Sequence, residues 1–268
     1  MTSGLQLVAE VPARPAATVL LLRDGDAGLE VHLQQRRAEM DFGALAYVFP
    51  GGSLDPQDSS DEAVALLDGD LAAAARRMEL DTDEAALRLC AGLHVCALRE
   101  CFEESGILLG GTGVDPAAVA AARDRILALN DLAVELEALR VRPRVDDLAY
   151  VARFITPVGL PRRYDTYFFA TRMPSTQEID VHTAEARHGG WFKPAGILAQ
   201  ADAGEAVLMP PTRVMLSELA RHPDVASTLD DLRSREVCGI LFSIEQAVSP
   251  LPDHLPSVAE VEAIGARA

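Results

Sequence analysis

Arg99-Glu100-Cys101-Phe102-Glu103-Glu104-Ser105-Gly106-Ile107 sets an arginine and three glutamates directly before a glycine. Glu100, Glu103 and Glu104 stand at i, i+3 and i+4, so a helix brings them onto one face. Three like charges on one face repel one another, and at a helix C-terminus they also oppose the helix dipole. A hard divalent ion with oxygen ligands resolves that conflict. An isolated E-x-x-E-E is otherwise an ordinary solvated helix end. Arg99, one turn before Glu103, is placed to orient or partly neutralise it. Gly106 supplies the C-terminal stop.

Working upstream, the helix that carries these residues is expected to start near Thr82, with Thr82 or Asp83 as N-cap. Its apolar positions run through Leu87, Leu93, Ala97, Leu98 and Cys101. Ahead of it, residues 61–67 and 71–78 are predicted as short helices in a polar, alanine-rich stretch. Residues 16–22 read as a buried strand, and residues 29–35 alternate apolar and polar as its hairpin partner. Tyr47-Val48-Phe49 is a third short strand, stopped by Pro50-Gly51-Gly52. Downstream, residues 115–125 and 131–139 are predicted helices, and residues 149–155 and 165–170 a strand pair. A strand near 185–192 and helices at 194–200, 212–221 and 225–235 follow. This order predicts one α/β sandwich.

The chain holds 41 acidic and 24 basic residues among 268, a formal charge of −17. Such a charge disfavours nucleic-acid backbones and anionic membrane surfaces as partners. An anionic small molecule remains compatible where metal ions or local arginines offset the field. Cys90, Cys96, Cys101 and Cys238 form no C-x-x-C pair, and three fall in one predicted helix, as reduced core residues do. With no basic leader and no long apolar run in view, the expected location is the cytoplasm.

The nine residues from Arg99 resemble the second half of the box GX5EX7REUXEEXGU that defines the Nudix hydrolases, where U is a bulky apolar residue. Every fixed position matches, with Cys101 as a smaller U. Upstream, Pro50-Gly51-Gly52 resembles the family's PGG turn. Five residues separate Gly52 from Asp58, which stands where the family has Glu. Forty residues, Ser59 to Leu98, then stand where the family has seven. Such a split box resembles the coenzyme A diphosphatase-like branch of the Nudix motif 19 type. So do the stretches Leu33 to Arg37 with Val48 to Asp55, Thr156 to Phe169, and Met209-Pro210-Pro211-Thr212.

The resemblance implies a single Nudix domain over 1–268, an α/β/α sandwich with a mixed sheet. Residues 59–90 would be a helical insertion within the box and 205–268 a helical C-terminal extension. It implies metal-dependent hydrolysis of the diphosphate of coenzyme A or acyl-coenzyme A, giving 3′,5′-ADP and a 4′-phosphopantetheine derivative. Another nucleotide-linked substrate (ADP-ribose, NADH, a nucleotide sugar) stays open, as does a silent ligand-sensing module. Glu100, Glu103 and Glu104, with the Gly52 carbonyl, would hold Mg²⁺ or Mn²⁺, and Glu185 is a candidate late acid. Glu103, Glu100 and Arg99 form the expected catalytic group, with the general base undecided. Guanidinium forks suit phosphate oxygens, so Arg36, Arg37 and above all Arg163 are expected substrate contacts, beside Phe49. The expected partner is a small nucleoside diphosphate-linked molecule, with no nucleic acid or membrane; a homodimer stays open. His94 is expected in the core. Gly110-Gly111-Thr112-Gly113 lacks the Lys-Ser/Thr of a P-loop and reads as a turn.

Overall fold

β1 (Arg14–Gly25) is apolar on consecutive positions because both of its faces are covered. Leu20 and Leu22 face one hydrophobic core, and Ala17, Val19 and Leu21 face another. The computed structural model describes residues 11–39, 43–129, 131–181, 186–241 and 254–268. Among them, nine strands form one mixed sheet.

β1 runs parallel to β6 (Tyr164–Arg172) and closes a hairpin with β2 (Gly28–Arg36). β5 (Ala149–Ile155) lies antiparallel on β6, and β7 (Ala186–Phe192) antiparallel on β2. β1 and β2 pair only near their turn, from Leu22↔Val31 to Gly25↔Gly28. Beyond it they part, and residues 46–53 fill the gap. β3 (Ala46–Val48) pairs with β2, and β4 (Gly51–Ser53) pairs with β1. This wedge sets the glycine pair at the open end of the sheet.

Helices cover both faces. α3 (Glu84–Ser105) packs on one, joined by α1 (Asp61–Ala65), α2 (Leu71–Arg77), α4 (Pro116–Leu129) and α5 (Leu132–Leu139). α6 (Pro194–Asp202), α7 (Pro210–Leu219) and α8 (Val225–Ser234) pack on the other. The expected α/β/α sandwich with a mixed sheet is thus observed. Asp83 is the N-cap of α3, accepting from Ala86 N at 2.8 Å, and Gly106 ends the helix at φ 74°. The residues of the expected insertion, 59–90, hold α1, α2 and the first turns of α3.

The C-terminal region is not helical alone. It also supplies β8 (Val207–Leu208), parallel to β3, and β9 (Gly239–Leu241), parallel to β5. These add a strand to each end of the sheet. Strands of two or three residues are too short to show an alternating pattern, which is why the sequence does not announce them. Among the described residues, no helix is long and apolar enough to cross a membrane.

Candidate active site

The wedge presses Gly51 and Gly52 between β1 and α3. A Cβ on Gly51 would lie 2.5 Å from the Ala17 carbonyl oxygen, and one on Gly52 would overlap the Glu100 carboxylate. Glycine at the first position lets β4 approach β1. At the second it lets Glu100 reach past the strand to line the cleft beyond.

Arg99 is buried and organises the acids around it. Its Nε donates to Asp58 Oδ1 at 2.8 Å and its Nη2 to Asp58 Oδ2 at 2.9 Å. Its Nη1 donates to Glu100 Oε1 at 2.8 Å and to Glu103 Oε2 at 3.2 Å. Asp58 is fixed in turn by a reciprocal cap with Asp55, whose backbone N–H donates to Asp58 Oδ2 at 2.8 Å. The acid ahead of the insertion and the arginine behind it therefore form one bidentate pair, which closes the inserted segment at its base. Burial alone would lower the Arg99 pKa, but the Asp58 hydrogen bonds and the Glu100 and Asp58 charges carry it above its ordinary value.

The glutamates feel the opposite balance. Burial pushes the Glu100 carboxyl up to about 7, with Arg99 opposing the shift and Glu103 adding to it. Burial likewise raises Glu103, against the pull of Arg99. Glu104 Oε2 accepts from Gln34 Nε2 at 2.7 Å and from Gly51 N at 3.0 Å. The buried Gln34 Oε1 on the far side of that amide has no hydrogen-bond partner. Two carboxylates raised by burial on one guanidinium, a third at the next helix position and an orphaned oxygen adjoining it fit a hard divalent cation, which brings charge and a donor-rich hydration shell. The Gly52 carbonyl accepts from Cys96 Sγ at 3.6 Å, so it faces α3. All four cysteines are free and buried, and burial raises the Cys96 and Cys101 thiols, which leaves them unreactive.

The cleft next to Glu100 holds about 610 Å³. Phe49, buried and edge-on to Phe168 at 6.5 Å, lines it, as does Arg36. Arg36 is half-buried, and its buried Nε has no hydrogen-bond partner. Two expected substrate contacts lie elsewhere. Arg37 is exposed and pairs with Glu39 at 3.6 Å. Arg163 turns inward, its Nε donating to Thr156 O at 3.1 Å and its Nη1 to Val11 O at 2.8 Å. Successive residues entering a strand point to opposite sides, so Arg162, with Tyr164 and Thr166, lines the cleft instead. Glu185, the candidate late acid, lies outside the described residues. His94 is in the core as expected, its Nδ1 2.7 Å from Cys90 O.

Two supports were not foreseen. Gln34 orients Glu104, and Arg123 donates to the Glu103 main-chain carbonyl at 2.7 and 3.1 Å. Both contacts join residues far apart in sequence. Only a polar residue on the inward face of a strand or helix hinted at them.

Comparison with known proteins agrees with this geometry. The NUDT19 Nudix domain model matches residues 3–221. The chain is 28% identical, over 95% of its length, to the chicken (Gallus gallus) protein named acyl-coenzyme A diphosphatase NUDT19, 74% of which is covered. It is 28% identical over 63% of its length to a nudix hydrolase 7 of Caenorhabditis elegans, spanning only 55% of that protein. A crystal structure of a Nudix hydrolase from Alicyclobacillus acidocaldarius is similar at TM-score 0.68 and 28% identity, covering 83% of this chain and 97% of that one.

Proposed function

The chain belongs to the NUDT19 Nudix domain family, and from that premise we propose that it hydrolyses the diphosphate of coenzyme A or an acyl-coenzyme A with the help of Mg²⁺ or Mn²⁺. The observation that carries this reading is the Arg99-braced carboxylate cluster, open past Gly52 to a cleft that holds a half-buried guanidinium. The similarity to the chicken diphosphatase supports the choice of substrate.

Glu100, Glu103 and Glu104 would hold the cation, with the Gly52 carbonyl as an added oxygen. When bound, it neutralises diphosphate charge and makes water more acidic. The chain's own residues do the rest. Arg99 fixes the rotamers of Glu100 and Glu103 through directional hydrogen bonds. Gln34 and the Gly51 N–H fix Glu104. Arg123 anchors the last turn of α3 by its backbone. Arg36 offers a planar donor fork to an anionic group in the cleft. Glu100 and Glu103 are the acids available as general base, and pH–rate profiles of the single Gln variants assign the role between them.

The test is a panel of coenzyme A, an acyl-coenzyme A, ADP-ribose, NADH and a nucleotide sugar with Mg²⁺ or Mn²⁺, read by product chromatography. Equimolar 3′,5′-ADP and 4′-phosphopantetheine from coenzyme A is the expected result. Turnover of another compound without coenzyme A removes the substrate assignment. Binding without any turnover removes the enzyme.

A further inference from the structure

A second cleft, of about 850 Å³, opens along β2 and β7 on the α3 face of the sheet. Residues 173–181 bound it. Gln177 clamps Leu108 at both N–H and carbonyl, each at 2.9 Å, and Asp180 N donates to Ser105 O at 3.0 Å. These contacts hold the segment against the C-terminal end of α3, beside Glu104. His32, in the wall of this cleft, is two positions from Gln34 on β2 and shares its face, roughly 7 Å along the strand.

The hydrogen bonding of His32 defines what the cleft lacks. His32 Nδ1 lies 3.1 Å from the Gly190 carbonyl. A carbonyl only accepts, so Nδ1 carries the proton. Burial lowers the imidazole to about 4, so Nε2 is a bare lone pair at neutral pH. That nitrogen is buried without a hydrogen-bond partner. Of the other walls, Glu178 is an exposed acid, which disfavours an anion, and both arginines are paired. Arg23 lies over the Trp191 ring at 4.3 Å and pairs with Glu30, and Arg172 pairs with Asp24, both at 2.7 Å. Ile179 and Val181 are apolar. The cleft beside Glu100 differs, since the Arg36 guanidinium there has no acid against it among the described residues.

We propose that the second cleft receives an uncharged, N–H-bearing part of the ligand, the N–H donating to His32 Nε2 and the flanking flat or apolar part packing on Trp191. The inference rests on the diphosphate reading only in taking the neutral group from the same substrate; the Arg36 cleft, lined by Thr18, Thr166 and Phe168, opens on the other face of the sheet, with Glu100 reaching toward it and Glu104 beside the second cleft. Two groups share this chemistry, the exocyclic amine of an adenine ring and a secondary amide of a pantetheine arm.

Trp191 is the single tryptophan of the chain, so tryptophan emission reports on this cleft. Metal-free protein is titrated with adenosine, purine riboside, pantetheine and inorganic phosphate. A saturable change with adenosine but not purine riboside identifies the amine, and one with pantetheine identifies the amide. Phosphate leaves the emission unchanged. His32→Phe weakens the response at least tenfold, and Val181→Phe, which narrows the cleft without touching the imidazole, does the same should the first variant fold poorly. No response to either N–H ligand, or an equal response in both variants, overturns the proposal. These fragments are not hydrolysed. Fragment binding without coenzyme A turnover therefore removes the functional reading alone, and turnover without fragment binding removes this one alone.

Discussion

Arg99 joins the two sides of the inserted segment, reaching Asp58 ahead of it and Glu100 and Glu103 behind it. Removing one partner of a buried ion pair strands the other charge, at about 3–5 kcal/mol. Asp58→Ala should therefore lower unfolding free energy by about that amount in urea titrations, far more than loss of an exposed pair such as Arg37–Glu39. Glu100 makes a second prediction. Its folded pKa of about 7 lies above the ordinary value of 4.5. In metal-free protein the folded state holds that proton more tightly, so this group's contribution to stability falls as pH rises from 4.5 to 7. A bound cation favours the ionised form. The rise in melting temperature on adding Mg²⁺ should thus be small at pH 6 and clearly larger at pH 8. Equal shifts at both would rule out Glu100 as the coupled group. The glutamates and Arg99 are legible in the sequence because i, i+3, i+4 spacing is local. The exchange of Arg163 for Arg162 is not, because it depends on the strand's facing, which a turn of uncertain length sets.

At the scale of elements, the β3–β4 wedge decides where α3 meets the cleft. Its two glycines are required by different contacts in space, so they should fail differently. A Cβ at Gly51 meets main-chain atoms of β1, which cannot yield, while one at Gly52 meets the end of a glutamate side chain, which can. Gly51→Ala should lose mainly stability. Gly52→Ala should stay folded but bind Mn²⁺ at least tenfold more weakly, as read by electron paramagnetic resonance. Loss of stability without loss of affinity at Gly52 would show that Glu100 does not need that opening. The α3 boundaries follow from Asp83 and Gly106, and the helices within 59–90 from their alanine-rich pattern. β8 and β9 escape sequence reading, since their pairing partners, β3 and β5, lie more than eighty residues upstream.

For the whole molecule, two histidines are buried neutral on the α3 side. Burial holds His32 near 4 and lowers His94. The unfolded chain binds protons at these positions near pH 6.5, before the folded one does, so stability rises with pH through the window from about 4 to 6.5. His32 alone should cost about 2 kcal/mol between pH 7 and pH 5. Urea titrations at the two pH values measure it, and His32→Phe should flatten the difference. The formal charge of −17 excludes no anionic ligand once Arg36 and a cation at the glutamates are in place, although it limits the ligand to a small one. The central claim is that those glutamates bind the metal that hydrolysis needs. It is tested most directly by coenzyme A turnover in chelator-treated protein, before and after adding Mg²⁺, for wild type and Glu103→Gln. Turnover that appears only with Mg²⁺, and falls at least about 100-fold in the variant while its melting temperature holds, is the expected result. Turnover that ignores both the metal and the substitution would contradict the account.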